Sequence, residues 1–398
     1  MFDRMTRRSG RRGWMRSLVA GCCLASLAAM AGCGTVDNLL GRPARLPPTI
    51  VLGDEFCTPD GMAIDGDGNV VVACPNYGSY AKGATKPSAP ACFLKIARDG
   101  TVTKWFDCPV LGETGRACPM GIAFGPDGDL FVCDNQNWPT GNGANGEINQ
   151  GRLLRLRVRD GKVVKTTVVA GGISHPNGVR VHEGQLYVTV SMLPKITNPD
   201  GKLVSAVYRF NLDDENITVT NTRADKNLLI ELKTLNPHCQ YGADGIVFDS
   251  KGALYVGNFG DGALHKVTFN TDGGVKDASI FARTDHDYSL DPAESGFLAK
   301  ATKAKMRTTD GICVDDDDNI YVADFSNNAL ARVDPAGAIT VVAQNGDTTG
   351  ADGKMDQPGE PIVRGDQLIV TSFDMVTGPD KVNTGHDKPH TIVVIDLK

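Results

Sequence analysis

Apolar and polar positions alternate along most of this chain, and the alternation returns in six segments. Each segment runs through a turn, an apolar alternating strand, a polar turn and a second apolar strand. The segments begin at Pro59-Asp60-Gly61, Pro119-Met120-Gly121, Pro176-Asn177-Gly178, Ala243-Asp244-Gly245, Thr309-Asp310-Gly311 and, in degenerate form, Pro358-Gly359-Glu360. Successive starts lie 60, 57, 67, 66 and 49 residues apart, which leaves room for four short strands and their loops. A period of two bounded by turn residues predicts antiparallel sheet. Helical periodicity is weak everywhere except near Asp291 to Lys305. Four-stranded units repeated radially predict an all-β, six-bladed β-propeller with four antiparallel strands per blade, an arrangement that leaves no long strand edge exposed. The sixth repeat offers only Thr391 to Asp396 after its second strand. Thr49 to Gly53 is therefore expected to supply the missing outer strand and close the ring. No linker interrupts the repeats, so residues 49–398 read as one domain.

The segment ahead of the repeats predicts a destination. Arg4, Arg7, Arg8, Arg11, Arg12 and Arg16 form a basic start, and Ser17 to Gly32 is apolar and small. That stretch is too short to span a bilayer. It ends Leu27-Ala-Ala-Met30-Ala31-Gly32-Cys33, which resembles the processing box of bacterial lipoproteins. The resemblance implies a signal peptide over 1–32, a lipid on Cys33, and a short tether over 33–48. It also implies a place on the periplasmic side of the cell envelope, at the outer membrane. Arg11-Arg12-Gly-Trp14-Met15-Arg16 looks like a twin-arginine export motif as well.

Trimmed at Cys33, the chain carries 35 basic against 46 acidic side chains, a net charge of −11. An acidic surface without a basic stripe argues against nucleic acid and leaves the lipid as the only membrane attachment. The expected form is a monomer acting on a small molecule. Besides Cys33, eight cysteines remain, with no Cys-x-x-Cys pair, which gives zinc or thioredoxin-type chemistry no support. A hairpin in the first blade is expected to bring Cys74 and Cys92 together across the sheet.

A propeller converts repeat position into geometry. The residue before each shared Gly should stand at one mouth of the central channel, giving a ring of Asp60, Met120, Asn177, Asp244, Asp310 and Gly359 with Glu360 beside it. Clustered carboxylates repel and raise one another's pKa unless a cation sits among them. An all-oxygen donor set favours Ca²⁺ over Zn²⁺. The competing account is that each Asp simply builds a tight turn. Turn chemistry also explains Asp65-Gly-Asp-Gly-Asn69 and Asp315-Asp-Asp-Asp-Asn319. His175, His238 and His286 lie near strand entries and could edge the same mouth. No Gly-x-Ser-x-Gly elbow is present, which leaves serine-hydrolase chemistry without support.

Over about residues 50–398 these motifs resemble the senescence marker protein and gluconolactonase propellers, with diisopropylfluorophosphatase as a relative. That family holds calcium with a Glu, an Asn and an Asp from the first, third and fourth blades. The resemblance implies Asp60, Asn177 and Asp244 as metal ligands, with Asp60 one methylene shorter than the family's Glu. Asp244 or Asp310 would be the catalytic base, and Met120 and Glu360 would face the substrate. Met120 departs from the family's Asn. The implied activity is calcium-dependent hydrolysis of a lactone or related ester. Tyr255-Val-Gly-Asn258-Phe and Tyr321-Val-Ala-Asp324-Phe equally resemble NHL-repeat propellers, which implies the alternative of a non-catalytic module that binds a ligand or protein at the envelope.

Overall fold

The structure is a computed structural model that describes residues 45–79, 88–136, 149–375 and 378–397. Cys33 and the segment read as a signal peptide lie outside the described residues. Six antiparallel sheets account for the six repeats. Their innermost strands are Met62–Ile64, Pro119–Phe124, Pro176–His182, Ala243–Phe248, Ile312–Val314 and Pro358–Arg364. Each inner strand touches the next around a complete circle, the last meeting the first.

The shared Gly explains how the inner strands come so close. A Cβ on Gly61 would stand 2.3 Å from the carbonyl oxygen of Met120, and one on Gly245 would stand 2.4 Å from that of Asp310. Any side chain there would push neighbouring blades apart, so the Gly marks close backbone approach rather than a special turn. In four blades the ladder register slips across the same dipeptide, between Pro119 and Ile122, Pro176 and Val179, Ala243 and Ile246, and Pro358 and Pro361. Such bulges re-aim side chains, here toward the channel mouth.

The ring closes as the sequence predicts. Thr49–Val51 pairs antiparallel with Thr391–Asp396, matching Ile50 to Ile392. Docking begins slightly earlier: the Leu46 N–H donates to Gln367 Oε1 at 2.8 Å, and Leu46 is buried. The second blade carries a fifth strand, Ile217–Thr218, parallel to its outer strand Lys162–Ile173. The core lies in layers between adjacent blades, as where Val247 and Tyr255 of blade 4 meet Ile312 and Val322 of blade 5. Of the weak helical signal near Asp291 to Lys305, only Phe297–Ala301 is α-helical. Asp65 and Asp315 are turn builders, each accepting main-chain N–H groups of its own loop at 2.8–3.0 Å. No described helix is long and apolar enough to cross a membrane.

Candidate functional site

One cavity of about 220 Å³ opens at the mouth of the channel. Asp60, Met120, Asn177, Asp244 and Asp310 line it together with Tyr241, Phe259, Phe325, Phe373 and Lys381. Five of the residues that precede a shared Gly are thus gathered from five separate blades. Glu360 is the exception. It was expected to face substrate, but its carboxylate is absent from the lining and accepts from Arg180 Nη2 at 2.8 Å. Arg180 comes from blade 3, opposite blade 6, and the same nitrogen also lies 3.2 Å from the Ile312 carbonyl. A buried carboxylate needs a partner, and Arg180 reaches across the channel to supply it.

The histidines also fall elsewhere. His175 is buried with Nδ1 3.0 Å from Ser174 Oγ, and burial pushes its pKa down to about 4, so the ring is neutral. His238 and His286 line a separate small pocket beside Arg307. None of the three is in the lining of the cavity.

The aromatic wall of the cavity was missed from the sequence. Phe259, Phe325 and Phe373 each stand 14 residues after a shared Gly, at the end of a blade's second strand. Their rings pack edge-on, with centroids 5.8 Å apart for both Phe259–Phe325 and Phe325–Phe373. Repeat position aligns them, but Pro75, Asn135 and Met192 at the same offset are outside the lining, so the offset alone does not select them. Tyr77 extends the wall and donates its hydroxyl to the Met120 sulfur at 3.2 Å, which explains how a thioether sits in an otherwise oxygen-rich ring.

The polar half is electrostatically loaded. Burial, reinforced by Glu360, raises Asp60 to about 8. Burial and the neighbouring carboxylates push Asp244 and Asp310 well above the ordinary Asp range. Asp60 Oδ2 is buried without a hydrogen-bond partner. Asn177 Nδ2 lies 3.4 Å from both Ser191 Oγ and Tyr241 Oη, which leaves its Oδ1 to face the cavity. Asp60, Asp244 and Asp310 do not bring one oxygen each within 4.8 Å of one another, so a single ion would be shared by two of them at most. Two carboxylates, one of them with an orphaned buried oxygen, and one amide oxygen fit a hard cation.

These shifts set a pH dependence. An acid whose pKa is raised on folding binds its proton more tightly in the native state, so its contribution is full below about 4 and is lost as pH rises toward 8. Chelator-treated protein should therefore show an unfolding midpoint that falls between about pH 5 and 8. A midpoint that rises across that window would show that the carboxylates are not crowded.

Cys74 and Cys92 stand directly opposite each other across the sheet. None of the eight described cysteines forms a disulfide, and Cys74 Sγ instead lies 3.1 Å from the Cys57 carbonyl.

Residues 310–332 match the NHL repeat family model, covering the first two strands of blade 5 and most of the third. A comparison with curated proteins found no match. Among solved structures, the PQQ-bound aldose sugar dehydrogenase of Streptomyces coelicolor superposes with a TM-score of 0.52 at 13% identity, covering 88% of this chain and 99% of that one. A luciferin-regenerating enzyme gives 0.52 at 12% identity, covering 88% and 95%. The gluconolactonase of Xanthomonas campestris gives 0.47 at 14%, covering 89% and 96%. Identities this low speak for the fold and not for a shared reaction. The chain is a six-bladed β-propeller with an NHL repeat in its fifth blade, and its structural neighbours include gluconolactonase-like propellers.

Proposed function

We propose that this protein is a calcium-dependent hydrolase of a lactone or related ester. The observation that carries the reading is a cavity whose lining combines the oxygen donors of Asp60, Asn177, Asp244 and Asp310 with aromatic side chains. Asp60, Asn177 and Asp244 would hold the ion. When bound, such a cation polarises an ester carbonyl and makes a water more acidic. The aromatic wall of Phe259, Phe325 and Phe373 binds the apolar face of the substrate and keeps bulk water out. Asp244, from within the ligand set, would take the attacking water's proton, since a bound cation offsets the burial and charge crowding that raise its pKa. Asp310, half-buried on the rim and outside the ligand set, would serve as the alternative base. Lys381 is the one basic residue of the lining, and it stands where negative charge on a leaving alkoxide would be favoured.

The NHL match favours a second reading, a binding module that turns nothing over. Metal analysis of purified protein, followed by a lactone panel with and without chelator, separates the two. Stoichiometric calcium and chelator-sensitive turnover support the hydrolase. Bound calcium with no turnover across the panel supports the module.

We also propose that Cys33 carries a lipid holding the propeller to the periplasmic face of the outer membrane. Cys33→Ser should move the protein into the soluble fraction with an unprocessed or miscut leader. Correctly trimmed, membrane-bound Cys33→Ser protein would rule the anchor out.

A further inference from the structure

At the seam where blade 6 meets blade 1, four side chains gather that the central cavity does not use. Cys57 lies on the entry to blade 1, three residues before Asp60. Asp374 follows the cavity residue Phe373, and His386 and His390 precede the closing strand Thr391–Asp396. One ligand atom each from Cys57, His386 and His390 lie within 4.8 Å of one another. Asp374 Oδ2 stands 3.5 Å from Nδ1 of both imidazoles. The two rings stack with centroids 5.0 Å apart.

Two atoms in this cluster are orphaned. His390 Nδ1 and Asp374 Oδ1 are buried without a hydrogen-bond partner, on residues only 4% and 1% exposed. Leaving such a group unsatisfied costs about 1–3 kcal/mol, and buried polar atoms are satisfied nearly everywhere else in folded proteins. A cation on the imidazoles would hold His390 Nδ1 as an N–H donor facing the Asp374 carboxylate. His386 is already oriented as a ligand would be: its Nδ1 bonds the main-chain oxygen of Asp374, which leaves Nε2 as the nitrogen with a lone pair. Metal-bound imidazoles are typically fixed by an outer bond of this kind.

We propose that Cys57, His386 and His390 form a second metal centre, for a borderline-soft divalent ion of the zinc class, with Asp374 as the outer carboxylate facing both imidazoles. A thiolate and two imidazoles suit zinc and are poor for calcium. Binding requires the Cys57 thiol to give up its proton to solvent. Filled tetrahedral zinc sites have ligand-to-ligand edges of roughly 3.3–3.8 Å, so the ion would draw the three ligand atoms to that spacing. With three protein ligands, the centre takes water as its fourth. It clamps the segment before the last strand onto the entry of blade 1, beside the strand pairing that closes the ring. The proposal does not rest on the lactonase reading, and Asp244→Asn should leave it intact.

Cobalt(II) reports directly on a thiolate ligand. Chelator-treated protein titrated with Co²⁺ should take up one equivalent at this centre, with a sulfur-to-cobalt charge-transfer band that Zn²⁺ displaces. Cys57→Ser should abolish the band, while Cys74→Ser should keep it. Asp374→Asn should weaken Zn²⁺ binding by about 10–100-fold. Because His390 is buried, His386→Gln on the outer loop is the safer imidazole test, and it should lower affinity in a protein whose near-ultraviolet circular dichroism is unchanged. Absence of the band in folded parent protein, its persistence in Cys57→Ser, or a Cys57–Cys74 disulfide in protein isolated from cells would overturn the proposal.

Discussion

Replacing Asp244 with Asn should lower kcat/KM on a responsive lactone by about 10²–10⁴-fold, the range that a positioned acid–base group contributes. The substitution preserves size and one ligand oxygen while removing charge and basicity. Calcium affinity should therefore fall much less than turnover. Buried Asp244 feels Asp60 and Glu360 strongly, so the neutral amide relieves repulsion, and the fold should be at least as stable without metal as the parent. Calorimetric calcium titration beside steady-state kinetics separates these effects. A folded Asp244→Ala protein that binds calcium as the parent does would defeat the ligand assignment. The ring residues would then be turn builders, the bland account that each Asp-Gly dipeptide allows.

Arg180→Ala should destabilise the propeller by about 3–5 kcal/mol, the usual loss when one partner of a buried ion pair is removed. Glu360 lies on the opposite blade, 91% shielded at its side chain, and Arg180 is its cationic partner at 2.8 Å. Burial pushes the Glu360 carboxyl up while Arg180 pulls it back down. Without Arg180 the acid must take up a proton or stay charged near Asp60, Asp244 and Asp310. The loss should therefore be larger at pH 8 than at pH 5, since protonation of a raised carboxyl is available only at the lower pH. Glu360→Gln in the Arg180→Ala background should recover part of the stability, because it removes the stranded charge. Urea unfolding of the two single variants and the double variant measures the coupling. An unchanged midpoint in Arg180→Ala would mean that the pair merely fills the channel.

Much of this architecture is legible because a radial fold repeats its instructions. Asp60-Gly61, Asn177-Gly178, Asp244-Gly245 and Asp310-Gly311 recur at spacings that allow four strands each, and equivalent positions must then face one axis. The closing strand is readable by subtraction, since blade 6 lacks an outer partner after Thr391–Asp396. The aromatic wall was equally present in the repeat, at the offset of Phe259, Phe325 and Phe373, but it reads as ordinary strand-end apolar residues until the channel gives those positions a direction.

Other features depend on distances that no local pattern carries. Arg180 and Glu360 are 180 residues apart, and an arginine in an alternating strand looks like any solvated cation. His175, His238 and His286 share a sequence position near strand entries but not a direction in space. Cys57, Asp374, His386 and His390 come from the two ends of the propeller and meet only because Thr49–Val51 closes the ring beside Thr391–Asp396. The sequence by itself determined the blade count, the ring and the residues offered to its mouth, because period and turn chemistry are local properties. Tertiary closure decided which carboxylates crowd and which one is paired away. It also decided that a buried thiol, a buried imidazole and an exposed one meet at one corner, because those outcomes depend on which blades lie opposite or adjacent.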